Sequence, residues 1–322
     1  MTRCPASDAE VLAELIDINV DYVAKSPYPA QRSEHGKGVA DLEGEFRVPG
    51  DLPPQFRIGV FAEPRSFPAT IRFSNGAVQN DGKRDTHGLA IKLHDVDLPT
   101  APKDADGRGF QDFILLDSPI FIMGGIRPYV PFNRLFLEAK VSLWAKLKFG
   151  LYLLRHLPLI RPVLRLALNK ANAPLSTPYW STTPYRLGDM VVKYKVVPLS
   201  PHRPGPRISG FNGRRDALRE QLDRAPGVLS FGVLVQTDPR KQPLEDPTVD
   251  WEDMGVRFQA LAELHIPSDQ PVAAPSDREN ALSYSPGHAA WEHFPLGAIN
   301  RARVAIYAAA KKARRAAFDH RS

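Results

Sequence analysis

Apolar residues near the start of the chain, Leu12, Leu15, Ile16, Val20 and Val23, recur at the three- and four-residue spacing of a helix with one buried face. Ser7 and Glu10 form an S-x-x-E capping box in front of them, and Pro27 closes the run, so a helix is predicted within residues 1–26. The pattern then changes. Short runs rich in Val, Ile and Phe lie near 44–48, 56–61, 69–74, 88–95, 112–116, 189–197, 228–236 and 255–265, separated by Gly, Pro and Asp clusters that suit turns. No helices alternate with these strands, which argues against a doubly wound parallel sheet. The expectation is an α+β fold: an eight-stranded antiparallel β-barrel in one domain spanning 1–322, with helices inserted at 132–171 and 212–224 and one appended at 294–316.

The inserted stretch 139–171 interleaves Leu, Trp, Phe and Tyr with Lys and Arg and contains no acid. Pro158 and Pro162 interrupt it, and its charges recur too often for a spanning helix. Two readings follow: a helical pair packed on the barrel with a solvated basic face, or a surface for peripheral contact with anionic lipid.

Composition narrows the chemistry. The single cysteine, Cys4, excludes a disulfide framework and any cysteine-ligated metal centre, so a metal would use other ligands or arrive within a cofactor. The net charge of +6 is spread over 42 basic and 36 acidic residues, and no nucleic-acid motif accompanies it, so no nucleic-acid partner is expected. The first residues carry acids where a secretory or spanning segment needs an apolar core; the expected location is cytoplasmic. The chain has no G-x-S-x-G elbow, H-E-x-x-H, Walker loop or dinucleotide fingerprint after a strand.

Two clusters remain. On the predicted C-terminal helix, Arg303 and Tyr307 lie one turn apart on one face. A phenol titrates near ~10 in water. A tyrosine acting as an anionic ligand therefore needs a cation or a metal beside it, and Arg303 is placed to be that cation. Near the other end, Arg32, His35 and Lys37 precede a strand, followed by Arg72-Phe73-Ser74, Arg84-Asp85-Thr86-His87-Gly88-Leu89-Ala90-Ile91-Lys92 and Ser118-Pro119-Ile120-Phe121.

In their order these motifs, ending in R-x-x-x-Y at Arg303–Tyr307, resemble the haem catalase superfamily over roughly residues 30–125 and 190–315. By length the chain looks like its small catalase-related members. The resemblance implies a catalase-like barrel, haem b as cofactor, a peroxide substrate and association into homo-oligomers. It makes His35 the distal acid–base histidine, Ser74 the hydroxyl that orients it, and Tyr307 the iron ligand, an axial tyrosinate being how haem is held in catalase. Arg32, Arg72 and Arg314 match positions that contact haem propionates.

The sequence departs from the family at two places. Where catalases carry a distal asparagine this chain has Leu116, followed by Asp117, and Glu34 stands beside the histidine in place of a small apolar residue. With Leu116 in the pocket, organic or lipid hydroperoxides are favoured over hydrogen peroxide. A one-residue shift of the strand would instead bring Asp117 inward. The expected function is a haem-dependent peroxidase or organic-hydroperoxide-converting enzyme; a compact catalase, a non-catalytic haem-binding protein and a membrane-surface module are the alternatives.

Overall fold

The computed structural model of the chain describes residues 7–25, 35–167, 172–199, 208–275 and 282–319. Nine strands form one antiparallel sheet: β1 (Gly38–Val48), β2 (Arg65–Asn75), β3 (His87–Leu93), β4 (Gln111–Leu116), β5 (Tyr179–Trp180), β6 (Tyr185–Leu187), β7 (Met190–Pro198), β8 (Gly227–Val235) and β9 (Phe258–Ile266). They run in the order β5-β4-β3-β2-β1-β9-β8-β7-β6. Pairing of Tyr179 with Val196 and Trp180 with Lys195 joins β5 to β7 and closes eight strands into a barrel, with β6 as a hairpin partner of β7. Closure leaves few unpaired strand edges.

The eight predicted strands map onto the barrel with one correction. Residues 56–61 are two short helical turns, Pro54–Phe56 and Gly59–Phe61. Pro53-Pro54 disfavours a ladder position there. Gly59 sits at φ +58, with the position of an added Cβ only 2.2 Å from His293 Nε2. The run is apolar because Phe56, Val60 and Phe61 are buried in the barrel core. The eighth wall is supplied by β5, two residues long and too short to leave a periodic signal.

Inside the barrel Phe46, Phe113, Tyr194 and Phe231 pack ring to ring, with centroids 4.7 Å apart for Phe113–Phe231 and 5.0 Å for Phe46–Phe231. Aromatic packing at such distances fills the lumen, so a ligand site belongs on the outer face.

Among the described residues six α-helices surround the barrel: α1 (Asp8–Lys25), α2 (Ile126–Val141), α3 (Leu143–Arg155), α4 (Leu157–Ala167), α5 (Gly213–Arg224) and α6 (Ala298–Asp319). The capping box forms, with Ser7 N–H donating to Glu10 Oε2 at 2.6 Å and Glu10 N–H to Ser7 Oγ at 3.3 Å. The insertion begins six residues before the predicted position 132, at Ile126, because Pro128 falls in the first helical turn where its missing N–H costs nothing. The last helix begins at Ala298, after Pro295 and a left-handed Gly297. Val11 and Leu15 of α1, Val130 of α2 and Ala302 and Ile306 of α6 form one buried cluster that holds these three helices together. Among the described residues no helix is long and apolar enough to cross a membrane.

Candidate active site

Strand alternation builds the floor of the site. Ile71, Phe73, Leu89, Ile91, Phe113 and Leu115 point into the barrel core. Their neighbours must therefore face outward. Two rows of outward residues cross the three strands: Ser74, Gly88 and Leu116 in one, Arg72, Ala90 and Ile114 in the next. All six line the outer cavities. The floor is flat and small-residued at its centre. A Cβ on Gly88 would lie 2.6 Å from Ser74 Oγ and 2.7 Å from His35 Nδ1.

His35 stands over this floor on the segment leading into β1. Its φ of 55° is left-handed, an unusual conformation for a non-glycine residue. Three contacts hold it there: His35 N–H donates to Gly76 O at 3.1 Å, Arg72 Nη2 donates to His35 O at 3.3 Å, and the Ser74 hydroxyl meets His35 Nδ1 at 3.1 Å. Arg72 is 3% exposed, and burial lowers the pKa of its guanidinium, opposed by Asp41. Its Nε makes no hydrogen bond within the protein but faces buried Asp41, with Oδ1 at 3.6 Å.

The opposite wall is α6. Arg303, Tyr307 and Arg314 share one helical face with Ile306, Ala310 and Lys311. Tyr307, Lys311 and Arg314 line the same cleft as His35 and Arg72. Arg303 is buried and fixed by donating to Thr183 Oγ1 at 2.7 Å and Asn300 Oδ1 at 3.0 Å. Burial works against its charge, but the phenols of Tyr185 and Tyr307 more than offset this and raise its pKa, Tyr307 also through a side-chain hydrogen bond. Arg303 and Tyr307 thus stand side by side on α6.

The register also settles the fate of Leu116 and Asp117. Leu116 pairs with Gly88 and lines the outer cavity. Asp117 accepts from His87 N–H at 2.8 Å through Oδ1 and pairs with the His87 ring through Oδ2, so its carboxylate is committed to the end of β3. Burial and Arg214 lower the pKa of His87 despite this carboxylate.

Beyond the cleft lies a chamber of about 350 Å³, also bordered by His35, Arg303 and Tyr307. Its walls are mostly apolar: Leu116 and Phe121 from the barrel side, Tyr129, Phe132 and Phe136 from α2, and Phe149 from α3. Sequence reasoning missed the part played by α2, because the pattern read in the insertion lay at 139–171, beyond most of this helix. It also missed Tyr284 and Lys311, which line the cleft and belong to no motif. Arg32 and Glu34 lie outside the described residues.

A group held between His35 and Tyr307 would meet small and apolar residues at its centre and the cations Arg72, Lys311 and Arg314 at its rim. That chemistry suits a flat apolar macrocycle bearing carboxylates, which guanidinium and ammonium groups at the rim can bind.

Three solved structures share this architecture. A fungal catalase matches with 15% identity and a TM-score of 0.65, covering 88% of this chain and 59% of its own. Catalase A from Saccharomyces cerevisiae matches at 15% identity and 0.68, with 88% and 61% covered. The chain has the catalase fold. A bacterial catalase matches at 15% identity and 0.68 over 97% of this chain and 62% of the other. The chain thus spans about three fifths of the length of these catalases. No protein-family model and no curated protein sequence matches it. Within the catalase fold of this chain, the R-F-S motif lies on β2 with Arg72 and Ser74 outward and Phe73 in the barrel, the R-D-x-x-G motif leads into β3, and R-x-x-x-Y is on α6.

Proposed function

We propose that this protein is a haem-dependent oxidoreductase that consumes peroxides, with organic or lipid hydroperoxides preferred over hydrogen peroxide. The observation that carries the reading is the opposition of a Ser74-oriented histidine and an Arg303-paired tyrosine across one cleft that continues into an apolar chamber. Haem b would be held by Tyr307 at the iron, with Arg303 beside it, and by Arg72 and Arg314 at its carboxylates; Arg32 is assigned the same role by resemblance. When bound, the haem supplies a redox-active iron. The protein's own residues do the rest. Ser74 engages Nδ1 of His35, so Nε2 is the nitrogen that takes a proton from one peroxide oxygen and returns it to the other, the acid–base role an imidazole fills near neutral pH. Leu116 and the aromatic side chains of α2 exclude water and accept an alkyl chain.

The helical insertion supplies a route for such substrates. Phe149 of α3 and Val163 of α4 wall the chamber. The other faces of these helices leave Leu143 80% and Trp144 76% exposed, with Leu147, Leu151 and Leu154 also bare. Lys146, Lys148 and Arg155 lie among them. An apolar face ringed by cations is the pattern of a helix lying in an anionic lipid surface, and we assign it that role.

The test is to load the purified protein with haem and add hydrogen peroxide or cumene hydroperoxide, each with and without a reducing co-substrate such as guaiacol, while recording oxygen release and peroxide loss. Faster loss of cumene hydroperoxide, without oxygen release, is expected. Vigorous oxygen evolution from hydrogen peroxide would make the protein a compact catalase, and bound haem with no peroxide loss would make it a haem carrier.

A further inference from the structure

Asn133 on α2 is wholly buried. It lines the apolar chamber, yet neither its Oδ1 nor its Nδ2 has a hydrogen-bond partner. A buried amide with no partner is costly, and a well-packed core replaces it with an aliphatic side chain. Three other polar groups around the chamber have partners. Asn19 Nδ2 donates to Leu15 O at 2.9 Å. Asp85 accepts from the N–H groups of Ala77 and Val78 at 2.8 and 2.9 Å. Arg303 is fixed on Thr183 and Asn300. Asn133 alone of these four has both of its polar atoms unpartnered, and Phe132, Phe136 and Leu116 are among the residues that share its chamber.

We infer that Asn133 is a specificity-determining residue whose amide hydrogen-bonds the hydroperoxyl or hydroxyl group carried on an apolar acyl chain. An amide is at once a donor and an acceptor, which matches a hydroxyl or hydroperoxyl group, itself both donor and acceptor; a carboxylate would use only the donor. Leu116 contributes no polar group from the floor, so the polar contact comes from the helix on the other wall. A site built to hydrogen-bond an O–H rejects the analogue that lacks it, since its own buried groups are then left unpaired. The inference rests on the proposed use of an organic hydroperoxide.

Binding of two unreactive acids separates the two claims. Calorimetric titration of the haem-loaded protein with ricinoleate, which carries a mid-chain hydroxyl, and with oleate, which does not, should show the hydroxy acid bound roughly tenfold more tightly. Asn133→Leu should bind both equally and melt at a higher temperature, because leucine fills the site without an unpartnered amide. Asn133→Ala, which asks nothing new of the packing, should likewise lose the preference if the leucine variant fails to fold. A hydroxyl preference that survives both substitutions overturns the assignment of Asn133 while leaving the apolar-substrate reading intact. Equal loss of affinity for both acids with a lower melting temperature makes Asn133 a structural residue. Failure of the wild type to bind either acid overturns the substrate reading itself, and this inference with it.

Discussion

Gly88 is the point where the floor of the site and the distal histidine are closest, and Gly88→Ala tests whether that closeness matters. The new Cβ would lie 2.6 Å from Ser74 Oγ, 2.7 Å from His35 Nδ1 and 2.9 Å from His35 Cε1. Ordinary non-bonded separations begin near ~3.5 Å, so something must move by roughly 0.8 Å. Strand β3 cannot retreat, because Gly88 is paired with Ser74 on one side and Leu116 on the other. The imidazole and the hydroxyl must part, and the 3.1 Å contact that orients His35 is lost. Displacement of a catalytic group by about 1 Å costs on the order of 100-fold in rate, and complete loss of an acid–base group about 100- to 10,000-fold. We expect Gly88→Ala to lower hydroperoxide consumption by about 100-fold and stability by about 1–3 kcal/mol for overpacking. The haem spectrum should be kept, since Arg303 and Tyr307 are on the opposite wall. Steady-state hydroperoxide consumption measured on a haem-loaded basis, alone and in a His35→Ala background, decides the matter. In that background the alanine should cost little more, because its target is already gone. A wild-type rate in Gly88→Ala, or an undiminished further loss in the double variant, refutes the reasoning.

Leu116→Asn places an amide in the outward row beside Gly88 and should shift the ratio of hydrogen peroxide to cumene hydroperoxide turnover about tenfold toward the former, a change of about 1.4 kcal/mol. Asp117→Ala should leave that ratio alone and lower thermal stability by freeing His87; an altered ratio would mean that the carboxylate reaches substrate. His293 accepts from Val60 N–H at 2.9 Å and meets the Tyr194 hydroxyl at 2.9 Å, with its pKa pushed down to about 3 by burial. Below pH ~6.5 the unfolded chain protonates this histidine and the folded one does not. This group should therefore remove stability at up to ~1.4 kcal/mol per pH unit as pH falls from there toward 3. Denaturant titrations of the wild type and His293→Asn between pH 7 and 4 check this, and an identical acid-side slope in the variant would count against it.

The barrel could be read from the sequence because alternation is strong wherever one face of a strand is buried, as in Ile71 to Ser74 and Leu89 to Ile91. Residues 56–61 misled because an apolar run of that length looks alike whether it pairs as a strand or folds into buried turns, and β5 and β6 are too short to show a period. At the site, the ordered motifs brought His35, Ser74, Arg72, Arg303 and Tyr307 into view; all but Arg303 line one cleft, and Arg303 borders the adjoining chamber. The choice between Leu116 and Asp117 could not be made from sequence, because a slip of one residue exchanges the two faces of a strand; the row Ser74–Gly88–Leu116 makes it. Asn133 carried no signal at all. A single asparagine on an apolar helix acquires meaning only when the chamber in front of it, and the absence of a partner for its amide, are known.

The central claim is that Tyr307 holds a haem iron across from His35. It is tested most directly by the visible absorption spectrum of the haem-loaded protein and of Tyr307→Phe, a substitution that removes one oxygen and keeps the shape. The wild type should show a Soret band and charge-transfer features of ferric haem with a single anionic oxygen ligand, and the variant should lose the band or retain it only weakly and displaced. A Soret band of wild-type intensity and position in Tyr307→Phe would contradict the assignment.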